Sequence, residues 1–389
     1  MKIIDISTHI LRVPLGTERF FSSQCAFPER NSFLVRIETD CGLVGWGEGG
    51  QYGPPEPVEA CVQYVLKPRL IGRDPRERTK LWNECYAHVR DFGSKGSYIE
   101  AISALDIAMW DIMGQSVGLP IYMLLGGAVR KEIHAYATGC YYRGEDYLDF
   151  SQNLPMLRQE VRAFKELGFT MLKCKIGLLS IEEDIVRVKT VREELGPNFK
   201  IFVDCNHAYN GYTALRVGKE LEKLGVIFME EPVPPEDFLA YKMLKDRLNL
   251  AVAGGEAEYT RYGFMNLIGN GCVDILQPDL GVCGGLSEWQ NILTLAHSNG
   301  IMVIPHVWGS GIALATALHA VANIPLLPHT ANPIPMQNEP VVEFDKSINP
   351  LRDELLNETF EFSNGKLKVP TKPGLGISIN EDKLREYSG

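Results

Sequence analysis

The chain lacks any apolar run approaching the ~20 residues that a spanning helix needs. The nearest candidate, residues 311–327, is interrupted by His319 and Asn323, so a membrane span is excluded. Asp5 stands where a signal peptide would carry its apolar stretch, so export is not expected and a cytoplasmic location is. Positive charge is in deficit: 39 Lys and Arg against 49 Asp and Glu give a net charge of −10. That removes the basic footprint needed for nucleic acid or an anionic membrane surface. An anionic substrate would then need a local offset, such as a metal ion. No Cys-x-x-Cys pair occurs, and the nine cysteines are scattered. This fits reduced, buried thiols better than a disulfide framework or a zinc site. A composition of 45% hydrophobic and 23% charged residues excludes disorder, collagen and coiled coil.

At 389 residues the chain can hold two or three domains, or one large barrel with an attachment. Residues 1–128 mix strand and helix, with strands expected at 1–13 and 32–47 and helices at 56–70 and 97–116. Ser97 with Glu100 forms a candidate capping box. Ile102, Leu105, Met109, Ile112 and Met113 recur at helical spacing and mark one buried face. Residues 16–30 carry Phe20, Phe21, Cys25 and Phe27, and a loop this apolar is expected to pack against something.

From residue 133 short apolar runs alternate with amphipathic stretches that end in Gly168, Gly196, Gly225 and Gly300. The runs are 133–138, 171–176, 201–204, 226–230, 251–255, 273–277, 302–305 and 341–344. Eight such units predict an α/β fold, a modified (β/α)8 TIM-type barrel over residues 129–345. An open doubly wound sheet is the alternative, but residues 137–141 are not the glycine-rich phosphate turn it would be expected to carry. Residues 346–389 are too short for their own core and are expected to fold back onto the first domain, completing an α+β cap.

Active sites of such barrels form at the C-terminal strand ends. Those ends read Lys173 and Lys175, then Asp204, Glu230, Glu256, Asp279 and His306, each one strand-plus-helix unit beyond the last. Asp204, Glu230 and Glu256 come from three successive strands and would repel each other unless a cation sat among them. All-oxygen ligation selects Mg²⁺ first and Mn²⁺ second. Adjacent strand residues face opposite ways, so spacing alone does not separate Glu230 from Glu231. Lys173 and Lys175 point to the same side. Their mutual proximity and partial burial are expected to lower both pKa values and give a neutral amine able to accept a proton. Asp279 and His306 end adjacent strands, where a carboxylate can fix the imidazole's tautomer. Glu343, at the eighth strand, is a candidate acid.

Together these residues resemble the enolase superfamily, specifically its mandelate racemase-like subgroup, over nearly the whole chain. The first domain carries Gly45-Trp46-Gly47-Glu48, the Ala-Leu-Asp-Ile-Ala-Met-Trp-Asp stretch at 104–111, and Leu124-Leu125-Gly126-Gly127, as the family's capping domain does. Lys173-Cys174-Lys175 is similar to the family's Lys-x-Lys and implies Lys175 as a base on one face. The resemblance implies Asp204, Glu230 (in Met229-Glu230-Glu231-Pro232) and Glu256 as Mg²⁺ ligands. It implies the Asp279–His306 dyad as base or acid on the opposite face, and Glu343 as the carboxylic acid that hydrogen-bonds the enolate. The muconate lactonising branch has a second lysine where this chain has Asp279, which favours the mandelate racemase-like subgroup. Residues 135–139, 274–280 and 305–309, with Glu343-Phe344-Asp345 and Asn349-Pro350, are similar to the subgroup's lactone cycloisomerases.

The implied activity is Mg²⁺-dependent removal of the proton α to the carboxylate of a small-molecule substrate. One enolate can lead to racemisation, dehydration or lactone opening. Tyr141, Arg143, Asn206 and His207 offer a donor-rich lining, so an acid sugar or its lactone with β-elimination is expected. The aromatic stretch at 20–27 keeps an aryl substrate and racemisation as the alternative. Loops 16–30 and 49–55, which close over the substrate in the family, leave the substrate open. Outside this chemistry stand a Schiff-base aldolase acting through Lys175 and a binding relic without turnover. The complete set of matched positions argues against the relic. The resemblance also implies a homo-oligomer.

Overall fold

The structure, a computed structural model, describes residues 1–50 and 53–388. The chain opens with β1 (Ile3–Pro14), β2 (Phe20–Phe21), β3 (Ala26–Phe27), β4 (Glu29–Thr39) and β5 (Val44–Gly49). β1, β4 and β5 form an antiparallel sheet. The single strand expected over 32–47 is instead two strands of a hairpin. Gly42, at φ 83°, turns the chain, and Thr39 Oγ1 donates to Leu43 O at 2.8 Å to close the turn. Helix Ser97–Val117 crosses this sheet and is buried along most of its length. The alternating glycines of β5 let it lie flush: a Cβ at Gly47 would stand 1.9 Å from Ala104 O.

Two expectations for this domain are modified, and one helix was not expected. The capping box at Ser97 does not form, because Gly96 at φ 77° is the N-cap and Glu100 accepts from Tyr259 Oη at 3.0 Å. The helix expected over 56–70 is a helical run in three pieces, with a π turn at Cys61–Leu66. A further helix, Arg78–Gly93, packs on Ser97–Val117 through a face that includes Leu81, Trp82, Cys85 and Val89.

The barrel follows: β6 (Glu132–Gly139), a short β7 (Tyr142–Arg143), β8 (Met171–Lys175), β9 (Lys200–Asp204) and β10 (Val226–Glu230). It continues with β11 (Ala251–Gly254), β12 (Ile275–Leu276), β13 (Met302–Val303) and β14 (Val342–Asp345). β6 and β8 to β13 pair in chain order, and β14 returns to pair in parallel with β6. That return separates a barrel from an open doubly wound sheet. Tyr136, Phe202, Phe228, Ala253 and Ile304 fill the barrel below the site. β2 pairs with both β3 and β7, so the apolar 16–30 segment is stitched to the barrel rim as a small antiparallel ribbon.

The tail touches both parts of the molecule. β15 (Phe362–Ser363) and β16 (Lys366–Lys368) form a hairpin that adds antiparallel to the start of β6. Beyond it Leu375 N donates to Asp111 Oδ1 at 2.8 Å, and helix Glu381–Ser388 packs on β1. No helix among the described residues is long and apolar enough to cross a membrane.

Candidate active site

Strand register sets the first row of the site: Lys175 of β8 lies beside Asp204 of β9, and Asp204 beside Glu230 of β10. Glu256 enters just after β11. Asp204, Glu230 and Glu256 are buried, and one carboxylate oxygen from each lies within 4.8 Å of the others. Glu231 is not in this group. At φ 44° it leaves the strand, and its carboxylate meets His207 Nε2 at 3.0 Å. Burial, with Glu256 and Asp204 nearby, pushes its pKa well up. Glu256 Oε2 accepts no hydrogen bond although it is buried. Three converging carboxylates with an orphaned oxygen make a donor set suited to a hard divalent cation.

Lys173 Nζ donates to Glu230 Oε1 and lies 2.9 Å from Glu343 Oε1. Lys175 Nζ donates to Asp204 Oδ2 and, at 2.9 Å, to Asn206 Oδ1. The lowered lysine pKa values expected from sequence are not found. Burial acts in that direction, but Glu230 and Glu343 around Lys173, and Asp204 beside Lys175, outweigh it and hold both amines protonated. The expectation counted the neighbouring ammonium and not the carboxylates delivered by three other strands. Asp204 answers in kind: despite burial, the two ammoniums hold its pKa far below the usual range.

His306 Nδ1 lies 2.8 Å from Asp279 Oδ2, and Asp279 Oδ1 accepts from Gly281 N at 2.7 Å. Burial opposes charge on the imidazole, but Glu256 and Asp279 push its pKa up to about 10. Glu343 accepts from Thr138 Oγ1 and, at 3.0 Å, from Val307 N. Against burial, Lys173 and His306 hold it down at about 2. In this arrangement Glu343 faces the Lys173 ammonium at 2.9 Å.

A cavity of about 280 Å³ opens onto the set. Lys175, Asn206, Glu256 and His306 line it together with Tyr141, Trp308 and most of the capping segment between Ser22 and Asn31. Lys175 Nζ lies 5.2 Å from the centre of the Tyr141 ring. Arg143 does not line the cavity, because its Nη2 is tied to Glu160 Oε1 at 2.9 Å. His207 is likewise turned to Glu231. Of loop 49–55, Gln51 and Tyr52 lie outside the described residues.

Sequence reasoning missed Gln277, Trp308 and Arg30. Gln277 Nε2 donates to Glu230 Oε2 at 2.5 Å, and its place at the end of the sixth apolar run was a usable signal. Arg30 comes from the other domain, at the end of the 16–30 loop that the resemblance placed over the substrate, but the residue itself was not singled out. Glu48 was quoted only within its motif. It accepts from Ser310 N at 2.9 Å, Ala313 N at 3.0 Å and the hydroxyls of Ser32 and Ser310. It thereby pins the capping sheet to the start of helix Gly311–Asn323, just after Trp308.

Comparison with known proteins adds a second line. The family model for the mandelate racemase / muconate lactonizing enzyme N-terminal domain matches residues 11–126, and the enolase C-terminal domain-like model matches residues 156–383. The chain is 43% identical over 387 residues to D-galactarolactone cycloisomerase of Agrobacterium fabrum, covering 100% of this chain and 99% of that one. It is 39% identical over 353 residues to arabinonate dehydratase of Saccharolobus solfataricus, covering 91% and 89%. Among solved structures, 3,6-anhydro-D-galactonate cycloisomerase from Zobellia galactanivorans superposes with a TM-score of 0.88 at 35% identity, covering 100% and 99%.

Proposed function

We propose that this chain, which belongs to the mandelate racemase/muconate lactonizing enzyme family of the enolase superfamily, removes the proton α to the carboxylate of an acid sugar or its lactone and then expels the β-oxygen. One observation carries the proposal: a single cavity is lined by Lys175, by His306 of the Asp279 dyad, and by Glu256 of the carboxylate cluster. The relatives' names, lactone cycloisomerase and sugar-acid dehydratase, describe two outcomes of this one chemistry.

Asp204, Glu230 and Glu256 would hold a divalent cation, Mg²⁺ first and Mn²⁺ as substitute. When bound, it supplies positive charge against the substrate carboxylate and the enolate charge that develops from it. That charge would also offset the carboxylates that hold Lys175 and His306 protonated, and Lys175 Nζ and His306 Nε2 would then be the two atoms that take or return a proton, reaching the cavity from strands on different sides of the barrel mouth. Asp279 holds the Nδ1–H tautomer, so that Nε2 faces the cavity. Asn206 positions the Lys175 ammonium, and Glu343 positions that of Lys173. Once the α-proton has gone, the electron pair breaks the β C–O bond; a lactone oxygen leaves as a carboxylate, whereas a hydroxyl leaves as water with a proton from the second group in its protonated form. A lactone opens, an open acid loses water, and the enol tautomerises to a keto-deoxy acid.

Racemisation of a 2-hydroxy acid is the second reading, favoured by the same pair of candidate bases. A Schiff-base aldolase finds no support in the relatives' names. Incubation of acid sugars and their lactones with Mg²⁺ in ²H₂O, followed by NMR, tests the proposal. Exchange at the α-carbon with a keto-deoxy product is expected. Exchange without elimination on every member would leave a racemase, and activity surviving EDTA or a borohydride-trapped lysine adduct would overturn the scheme. We further propose a cytoplasmic homo-oligomer, which sedimentation equilibrium at 43.4 kDa would exclude.

A further inference from the structure

We infer that Ser23, at the tip of the hairpin formed by β2 and β3, is a positioning residue for proton transfer at Lys175 and acts through the Asn206 side chain. The inference rests on the reaction proposed above and deepens it, giving the capping domain a part in one of the two proton transfers.

Two adjacent serines divide the work at this tip. Ser22 N donates to Cys25 O at 3.1 Å and Ser22 Oγ accepts from Gln24 N at 3.2 Å, so Ser22 closes the turn itself. Ser22, Gln24 and Cys25 line the cavity. Ser23 turns toward the barrel: its Oγ donates to Cys205 O at 2.7 Å and lies 3.1 Å from Asn206 O. One hydroxyl proton, set between two carbonyls, thus fastens the hairpin tip to the loop that follows β9. The approach is close. A Cβ at Gly177, just beyond β8, would stand 2.4 Å from Ala208 Cβ, 3.1 Å from Cys205 O and 3.3 Å from Ser23 Cβ. Gly177, at φ 102°, leaves room for the three segments to meet.

The loop that Ser23 grips is a strained one. Asn206 and His207 lie consecutively in the left-handed region, at φ 42° and 62°. That conformation is unfavourable for residues with a Cβ and persists where the surroundings impose it. From the barrel side, Asn206 N donates to Asp204 Oδ1 at 2.9 Å and His207 N to Glu231 O at 2.8 Å. From the capping side, Ser23 Oγ meets the carbonyls of the two peptide units that flank the Asn206 Cα. What this fixes is a side chain: Asn206 Oδ1 accepts from Lys175 Nζ at 2.9 Å, on the wall of the cavity. The ammonium's carboxylate partner, Asp204, also belongs to the cluster with Glu230 and Glu256, so the neutral amide is the partner that aims Nζ. His306 is held by other groups, Asp279 at 2.8 Å and, behind it, Gly281 N. Loss of the Ser23 hydroxyl should therefore fall on one face of the substrate.

The test is a double-mutant cycle read by α-hydrogen exchange in ²H₂O with Mg²⁺, on a pair of acid sugars epimeric at the α-carbon. Ser23→Ala should slow the epimer that depends on Lys175 by about tenfold, as a small displacement of a reacting group does, and leave the epimer that depends on His306 within about twofold. In an Asn206→Ala background Ser23→Ala should add nothing further, because the serine acts through the amide. Equal slowing of both epimers, or effects that multiply in the double variant, would reduce the hairpin to a cover and overturn the inference. Wild-type rates in Ser23→Ala would overturn it too. If the wild type exchanges one epimer only, the cycle on that epimer decides. Should Ser23→Ala fail to fold, Ser23→Cys, a weaker donor at the same place, replaces it in the cycle. A wild type that exchanges no α-hydrogen at all would refute the proposed reaction, and the inference with it. Exchange in the wild type with multiplicative variants would sink the positioning role alone.

Discussion

His306 Nδ1 lies 2.8 Å from Asp279 Oδ2, while Nε2 stands 3.5 Å from Glu256 Oε2, the oxygen that accepts no hydrogen bond. One imidazole thus joins the dyad to the carboxylate cluster, and its tautomer is set by the aspartate behind it. His306→Asn should lower kcat by about 10³-fold and Asp279→Asn by about 10²-fold, with the fold retained by circular dichroism. Equal wild-type rates in both variants would remove the dyad from the chemistry.

The carboxylate cluster predicts metal binding that can be measured without turnover. Isothermal titration with Mg²⁺ should show one site in the wild type and none in Glu256→Gln. The thermal midpoint of the wild type alone should rise with Mg²⁺, as mass action requires for a ligand of the folded state. An identical rise in both proteins would place the ion elsewhere.

Glu48 accepts at least four hydrogen bonds from groups on both domains and lies at the N-terminus of helix Gly311–Asn323, where a negative charge is favoured. Glu48→Ala strands those donors and should cost at least about 2 kcal/mol in denaturant unfolding. A change below about 0.5 kcal/mol would show that the cap is held by other means.

His319 gives a pH signature remote from the site. It is buried, its Nδ1 faces Tyr122 N and its Nε2 donates to Leu375 O at 3.0 Å, and burial pushes its pKa down to about 4. The unfolded chain, with an ordinary value near 6.5, binds the proton more readily. Its contribution is therefore complete above about pH 6.5 and is lost as pH falls toward 4. Relative to His319→Gln, the wild type should lose about 2 kcal/mol between pH 7 and pH 5. A pH-independent difference between the two proteins would contradict a neutral His319.

Much of this site was legible in the sequence because a barrel strand ends where its apolar run ends, so Asp204, Glu230, Glu256, Asp279 and His306 stand at predictable places. What was not legible depends on several strands at once. The lysine charge states follow from carboxylates on β9, β10 and β14, which a local reading of Lys173-Cys174-Lys175 does not count. Glu231 parts from Glu230 through a backbone turn at φ 44°, invisible to a two-residue alternation. Arg143 is donor-rich but spent on Glu160, and Arg30 reaches the cavity only because β2, β3 and β7 dock the capping segment on the rim. Helix Arg78–Gly93 did carry a signal, with Leu81, Cys85 and Val89 four residues apart, although charged neighbours dilute it.

The central claim is that two groups exchange the α-proton from different sides of one cavity. NMR of α-hydrogen exchange in ²H₂O, with a pair of acid sugars epimeric at the α-carbon, tests it most directly. Lys175→Ala should abolish exchange of one epimer and His306→Asn that of the other, each leaving the opposite epimer able to exchange. Exchange of both epimers at wild-type rates in both variants would contradict the account.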